Sequence, residues 1–196
     1  TSLNGGKNWV KFGGLPAVRV DDIQIHPREA DVVIATHGRS LYVFDDSRAL
    51  REFTPEVAAK AAHLFSIRPA HGRLLLPGWT DSGGTGFFEG KNPTDGALLT
   101  VWVKEFTGEK LKISIADATG REIAKFDQAG VPGFNRLNWD LRVQKDYRFE
   151  YMGDDANRFV APGDYTATLS YKDVKVKQTF KVTVEEGLRT FGTYKN

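Results

Sequence analysis

The chain has 196 residues, with 27 Lys and Arg against 25 Asp and Glu and no cysteine. This length suffices for one large domain or two small ones with a buried core, and the lack of cysteine excludes disulfides and thiolate zinc sites. The net charge of +2 is too small to indicate a nucleic-acid or membrane-surface partner. No apolar run approaches the roughly 20 residues of a membrane helix. The first residues lack a basic segment followed by an apolar one, so no signal peptide is expected among them.

A glycine-rich turn motif, Ser2-Leu3-Asn4-Gly5-Gly6-Lys7-Asn8-Trp9, opens the chain. The side chain of Asn4 can fold back onto the backbone amides that follow it. Gly5 and Gly6 permit the positive φ of a tight hairpin, and Trp9 supplies a large apolar anchor. We therefore interpret the motif as a folding device and not as a ligand site.

Three short apolar stretches follow, at residues 18–25, 31–36 and 41–44, each bounded by turn residues. Their nearly continuous apolar character predicts strands that are buried on both faces. His37 and Arg39, in the turn between the second and third stretches, are candidate catalytic residues by type. No nucleophile or carboxylate pair stands beside them in the sequence, so we predict a turn role for both.

Thr54-Pro55-Glu56 has the pattern of a helix start, with an N-cap, a proline in the first turn and an acidic residue beside it. The Ala-rich continuation predicts a short helix that ends at His63. The glycine-rich run at residues 82–86 lacks the Lys-Ser/Thr and the following helix of a phosphate loop. The long irregular segment around it must pack its apolar side chains on something, and we predict that a partner contacts Trp79, Phe87 and Phe88.

From residue 96 the hydrophobic period is two, as in antiparallel sheets with one wet face. About seven such strands in about 90 residues predict an immunoglobulin-like β-sandwich. The predicted core residues are Leu111, Ile113, Trp139, Leu169, Phe180 and Val182.

Charged residues in this half have structural interpretations. Asp140 and Arg142 flank Trp139, where we expect them on the wet face of a strand. The lysines after residue 171 allow a patch for an anionic partner, but a solvated face and protection of a sheet edge are the favoured interpretation; they are Lys172, Lys175, Lys177 and Lys181. Asp154 and Asp155 lack the spacing of an EF-type calcium loop, and no metal site is predicted.

Residues 144–158 interrupt the strand rhythm with aromatic residues, a methionine and arginines, which protein interfaces prefer. A loop folded back on its own sandwich is the alternative. We predict that this segment contacts another protein chain through Tyr147, Phe149, Tyr151, Met152 and Arg158.

The opening motif resembles the Asp-box, with Asn4 where that pattern usually has Asp and Asn8 where it usually has Thr. Residues 31–46, with Thr36-His37-Gly38-Arg39, resemble the last blade of Asp-box (BNR-repeat) β-propellers of the sortilin-like and sialidase-like group. The segments Asn92–Ala97, Asp117–Gly120, Gly133–Arg142 and Ala161–Tyr165 resemble the immunoglobulin-like module that follows the propeller. The resemblance implies a four-stranded, blade-like sheet at residues 1–53 and a short helix with a long linker loop at 54–95. The immunoglobulin-like sandwich would follow at 96–186 and a tail at 187–196.

Since one blade does not close a propeller, the chain is expected to be the C-terminal piece of a larger protein or a subunit descended from one. We expect an all-β, non-catalytic structural and protein-interaction module, exported to the periplasm or the extracellular space. It would dock on other chains of a larger assembly, including a membrane-anchored one, without inserting into the membrane itself. No catalytic residue, cofactor, nucleic acid or small-molecule ligand is expected.

Two alternatives stay open. One is the C-terminal fragment of a secreted sialidase-like glycoside hydrolase, although no paired carboxylates can be placed in the sequence. The other is a carbohydrate-binding module that stacks sugars on Trp79, Trp102 or Trp139, of which the last two sit in predicted strands and are expected in the core.

Overall fold

The computed structural model describes residues 2, 4–11, 13–72, 96–105, 107–144 and 160–184. The chain divides into two compact units, residues 1–61 and residues 62–196. Strands make up most of the regular secondary structure of the described residues, which confirms the predicted all-β class.

The first unit is built around one antiparallel sheet. Its strands are β1 (Val20–Ile25), β2 (Val32–Thr36) and β3 (Leu41–Phe44), with β2 in the middle. All three match the predicted apolar stretches. Among the described residues the sheet has three strands, and the expected fourth strand is not among them.

Two five-residue helices follow, α1 (Arg48–Glu52) and α2 (Pro55–Ala59). The predicted cap of α2 is confirmed, because the Thr54 hydroxyl accepts a hydrogen bond from the Val57 amide at 3.4 Å. The predicted helix end was wrong. The chain leaves the helix after Ala59, since His63 lies in a strand that pairs with its neighbour across a sheet.

The described residues of the second unit form two sheets. Their strands are β4 (Ala62–Leu64), β5 (Ala70–Gly72), β6 (Ala97–Val103), β7 (Lys110–Ala116), β8 (Glu122–Ala129), β9 (Gly133–Trp139), β10 (Gly163–Tyr171) and β11 (Val174–Val184). A five-stranded sheet has the order β5-β11-β10-β7-β8, and a three-stranded sheet has the order β4-β6-β9. The pairings in both sheets are antiparallel except that of β5 with β11.

One hydrophobic core receives side chains from both of these sheets. All six predicted core residues belong to it, which confirms the period-two interpretation. Trp139 is 2% exposed, and its ring lies 5.6 Å from that of Tyr165 and 6.1 Å from that of Phe180. Its indole nitrogen donates to the Arg142 carbonyl at 3.0 Å, so the one polar atom of this large ring is satisfied.

The start of β6 approaches the end of β9 too closely for any side chain. Gly96 has a φ of +120°, and a Cβ there would lie 2.1 Å from the carbonyl oxygen of Trp139. Gly120, in the turn between β7 and β8, also has a positive φ, of +86°, but a Cβ there would meet nothing within 4 Å.

These two glycines allow a matched comparison. We expect Gly96→Ala to lower the free energy of unfolding by about 3 kcal/mol or more, because backbone atoms must move apart. Gly120→Ala should cost about 1 kcal/mol, the price of the left-handed backbone alone. Urea denaturation followed by circular dichroism measures both, and equal losses would contradict the steric argument.

Candidate interaction surface

The register of the β1–β3 sheet assigns each side chain to a face, because directly paired residues of antiparallel strands share one. Ile23 pairs with Ile34 and Ile34 with Tyr42, while Gln24 pairs with Val33 and Val33 with Val43. The first face carries Val20, Ile23, Ile25, Val32, Ile34, Thr36, Tyr42 and Phe44. The second face carries Asp22, Gln24, Val33, Ala35, Leu41 and Val43. Both faces are therefore largely apolar.

The two faces expose apolar side chains at opposite margins of the sheet. On the first face Ile34 is buried at the centre, whereas Ile23 and Ile25 on β1 are 56% and 51% exposed. On the second face Leu41 and Val43 on β3 are 63% and 58% exposed. The prediction of strands buried on both faces was therefore wrong for β1, which is exposed along its whole length, and for β3, which is exposed on the second face.

A polar clamp holds the loops at one end of this sheet. The Arg48 guanidinium donates to the Asp46 carboxylate at 2.8 Å and to the carbonyls of Glu29 and Arg28 at 3.1 and 2.6 Å. The Ser47 amide and hydroxyl both donate to the Ala30 carbonyl, at 2.9 and 2.7 Å. These bonds hold α1 against the turn between β1 and β2, and so fix the position of the helix relative to this end of the sheet.

The opening motif adopts the predicted turn. The Asn4 carboxamide accepts from the Asn8 amide at 2.9 Å, and Gly5 and Gly6 have φ values of +69° and +88°. The Trp9 indole donates to the Gly6 carbonyl at 3.0 Å. Its ring is 74% exposed, so the expected apolar anchor is not buried within the described structure.

His37 and Arg39 lie on an exposed turn. The His37 Nδ1 is 3.2 Å from an Asp21 oxygen, and the other Asp21 oxygen is 2.8 Å from the Arg19 guanidinium. All three side chains of this cluster are substantially exposed, at 37% or more. An ion pair of this kind orients a surface turn and stabilises it weakly.

The eight predicted partner-contact residues fall outside the described residues. They are Tyr147, Phe149, Tyr151, Met152, Arg158, Trp79, Phe87 and Phe88. The apolar runs of the sequence predict a sheet that must pack on the sandwich or on a partner. They did not single out the exposed margins of β1 and β3 as contact residues.

The two tryptophans that the structure describes in the second unit, Trp102 and Trp139, face in opposite directions. Trp139 lies in the core as predicted, but Trp102 pairs with Phe134 on the other face of β6. Their ring centroids are 5.6 Å apart, and Phe134 is 39% exposed. The expectation that Trp102 belongs to the core was therefore wrong.

A cavity of about 330 Å³ opens beside the turn between β7 and β8. Asp117 lines it and holds this turn, since one carboxylate oxygen accepts from the Thr119 amide, the Thr119 hydroxyl and the Arg121 amide at 2.9, 2.6 and 3.1 Å. The other oxygen is 3.1 Å from an Arg121 guanidinium nitrogen. Burial opposes ionisation, but the hydrogen bonds from Thr119 and Arg121 and the Arg121 charge together lower the pKa of Asp117.

Asp140 also has a local structural contact, because its carboxylate accepts from the Arg142 amide at 3.2 Å. Within the described ranges no group of three or more His, Asp or Glu side chains could hold a metal ion. Among the same residues no helix is long and apolar enough to cross a membrane. No family model and no curated protein matches the chain.

The Asp117 turn gives a pH-dependent expectation. A carboxylate whose folded-state pKa is lowered stabilises the fold above its unfolded-state pKa of about 3.9. That contribution is lost as the pH falls through the lower folded-state value. We expect Asp117→Asn to lower the free energy of unfolding by about 1 kcal/mol at pH 7, and the deficit to shrink below pH 3.9.

Urea denaturation at a series of pH values measures this effect. Asp173→Asn, in the exposed turn between β10 and β11, is the matched control and should change little at any pH. A deficit of Asp117→Asn that stays constant down to pH 2 would contradict the electrostatic account.

Proposed function

We propose that this chain is a non-catalytic structural module that docks on other protein chains of a larger assembly. The observation that carries the proposal is the sheet β1–β3, which exposes Ile23 and Ile25 on one face and Leu41 and Val43 on the other. Contiguous exposed apolar surface marks a contact site in a folded protein. Because the exposed margins lie on opposite faces, the sheet suits insertion between two neighbouring surfaces.

This arrangement supports the interpretation of residues 1–53 as a propeller-type blade, whose neighbours pack on both of its faces. In the second unit, two sheets around one core support an immunoglobulin-like sandwich. We propose that the sandwich is the rigid body of the module and that the blade-like sheet is its docking element. An exported location, periplasmic or extracellular, is part of the same proposal and rests on the resemblance to exported proteins.

The docking test uses variants of two valines with similar exposure. Val43 on β3 is 58% exposed, and Val131 in the turn between β8 and β9 is 54% exposed. Both lie at the surface, so Val43→Glu and Val131→Glu should each leave the unfolding free energy within about 0.5 kcal/mol of the parent chain. A charge at a docking face must be desolvated when the partner binds, so only Val43→Glu should weaken docking.

The immobilised chain would be used to capture proteins from an extract of the source cells, with bound proteins quantified by mass spectrometry. We expect Val43→Glu to lower the retention of the specific partners about tenfold, corresponding to about 1.4 kcal/mol, and Ile23→Glu to do the same from the other face. Val131→Glu should retain them. Equal retention by all variants would refute docking through this sheet.

The non-catalytic part of the proposal is tested on aryl sialosides and aryl glycosides. We expect no turnover by the chain. Hydrolysis that disappears in His37→Ala or Arg39→Ala, while the fold stays intact by circular dichroism, would favour the sialidase-like alternative and overturn the proposal.

A further inference from the structure

The outer face of the five-stranded sheet concentrates positive charge. Strand register and alternation place six lysines there against three acids, Glu122, Asp127 and Asp164. The lysines are Lys110, Lys112, Lys125, Lys175, Lys177 and Lys181. The chain as a whole carries only +2, so the excess on this face is local.

Four of these lysines form a quadrilateral around a floor of hydroxyl groups. In one row Lys175 pairs with Ser170 and Ser170 with Lys112. In the next row the paired residues are Lys177, Thr168, Ser114 and Lys125. Lys175 and Lys177 lie about 7 Å apart along β11, and the two rows span about 10 and 14 Å across the strands. Lys112 and Lys125 lie diagonally across β7 and β8, about 7–8 Å apart. We name this set of four lysines, Lys112, Lys125, Lys175 and Lys177, the lysine face.

These four ammonium groups are available to a ligand. All four side chains are exposed. Lys110 forms an ion pair with Asp127 at 3.0 Å, but none of the four forms one within the part of the chain that the structure describes. Asp127 lies across from Lys112 on β8, but the lysines of the outer face outnumber its acids by six to three. Such an excess of like charge raises the potential above the face and attracts polyanions.

The favoured interpretation of the lysines in β11 combines a solvated face with protection of a sheet edge. Edge protection does not account for Lys112, which lies on β7, a strand paired on both sides, with β10 and with β8. A solvated face does not require lysines to outnumber acids two to one, and that local excess favours an anionic partner.

The chemistry of the face selects among polyanions. The sheet places no Phe, Tyr or Trp on this face within the described strands, so there is no platform on which nucleobases could stack. It also places no large aliphatic residue there that could enter a bilayer. The half-buried Ser114 and Ser170 between the lysines carry hydroxyls that can bond to the hydroxyl and anionic groups of a hydrophilic chain.

We propose that the lysine face binds an acidic polysaccharide, one that carries sulfate or carboxylate groups along its chain. This surface lies in the second unit and is independent of the docking sheet in the first. Lysine suits such a ligand because its ammonium group is a flexible point charge that does not require one fixed geometry. Binding should weaken steeply as salt rises, because each neutralised anionic group releases counterions.

The test compares two variants that lose the same charge. In the first, the four residues of the lysine face are changed to glutamine (K112Q/K125Q/K175Q/K177Q). In the second, four exposed lysines elsewhere are changed in the same way (K7Q/K11Q/K60Q/K104Q). Binding to heparin, a sulfated polysaccharide, and to polygalacturonate, a carboxylated one, is measured at several salt concentrations. Double-stranded DNA and phosphatidylglycerol vesicles are measured in parallel.

We expect the parent chain and the control variant to bind heparin or polygalacturonate alike, and the lysine-face variant to bind at least about tenfold more weakly. The slope of log affinity against log salt should fall by about one for each contacting lysine removed. The variant K112R/K125R/K175R/K177R should retain binding, and thermal melting checks that each variant is folded. If the quadruple variant does not fold, K112Q/K125Q and K175Q/K177Q should each give a partial loss.

Equal losses in the lysine-face and control variants would show an effect of net charge alone and overturn the proposal. The absence of polysaccharide binding by the parent chain would also overturn it, as would tighter binding of DNA or vesicles than of either polysaccharide. None of these outcomes bears on docking through β1–β3, whose test uses Val43→Glu and Ile23→Glu.

Discussion

A three-stranded sheet that is apolar on both faces cannot bury itself. One strand layer has two sides, and the first unit supplies little to cover either margin, which leaves Ile23 and Ile25 exposed on one side and Leu41 and Val43 on the other. The cost of wetting a large aliphatic side chain is roughly 1.5–3 kcal/mol relative to full burial. A protein that retains several such side chains at its surface gains free energy when another surface covers them. That constraint underlies the interpretation of this chain as a component of something larger.

In the second unit, the apolar faces of the two sheets cover each other. Each of its sheets turns an apolar face inward, where Trp139, Leu111 and Phe180 share one core, and a second face outward. Polar atoms near this core are tied locally. For example, the Asn135 side chain bonds the amide and carbonyl of Val131, at 2.8 and 2.7 Å, in the connection between the two sheets. This unit therefore has the features of a body that folds around its own core.

Strands long enough to show a clear alternation of apolar and polar residues were predictable from the sequence. The longer strands β7, β10 and β11 alternate over seven to eleven residues, and both their existence and their buried faces were predicted. The strands β4 and β5 have three residues each, too few to show alternation, and they form because longer strands offer a partner. His63 was predicted at the end of a helix because the Ala-rich run before it favours helix locally. The pairing of His63 with Trp102 on β6, which ends that helix earlier, cannot be seen in so short a stretch of sequence.

The candidate surfaces were predictable to different degrees. Alternation alone places Trp102 opposite to Val101 and Val103, so its outward direction could have been read from the sequence; only its residue type suggested the core. The lysines on β11 were visible as a group, but their relation to Lys112 and Lys125 depends on the pairing of β10 with both β11 and β7. A single sequence does not show the register between strands that are distant along the chain.

The two surfaces proposed for this protein rest on opposite physical forces. Docking of β1–β3 would depend on removal of apolar area from water, which sulfate and similar salts strengthen. Attraction to the lysine face would depend on charge, which salt screens within about 8–10 Å at physiological ionic strength. Salt concentration therefore distinguishes the two forms of binding. Rising salt releases a bound polyanion but leaves an apolar interface intact. Because the surfaces lie in different units, a single chain could hold an assembly through one while it engages an acidic polymer through the other.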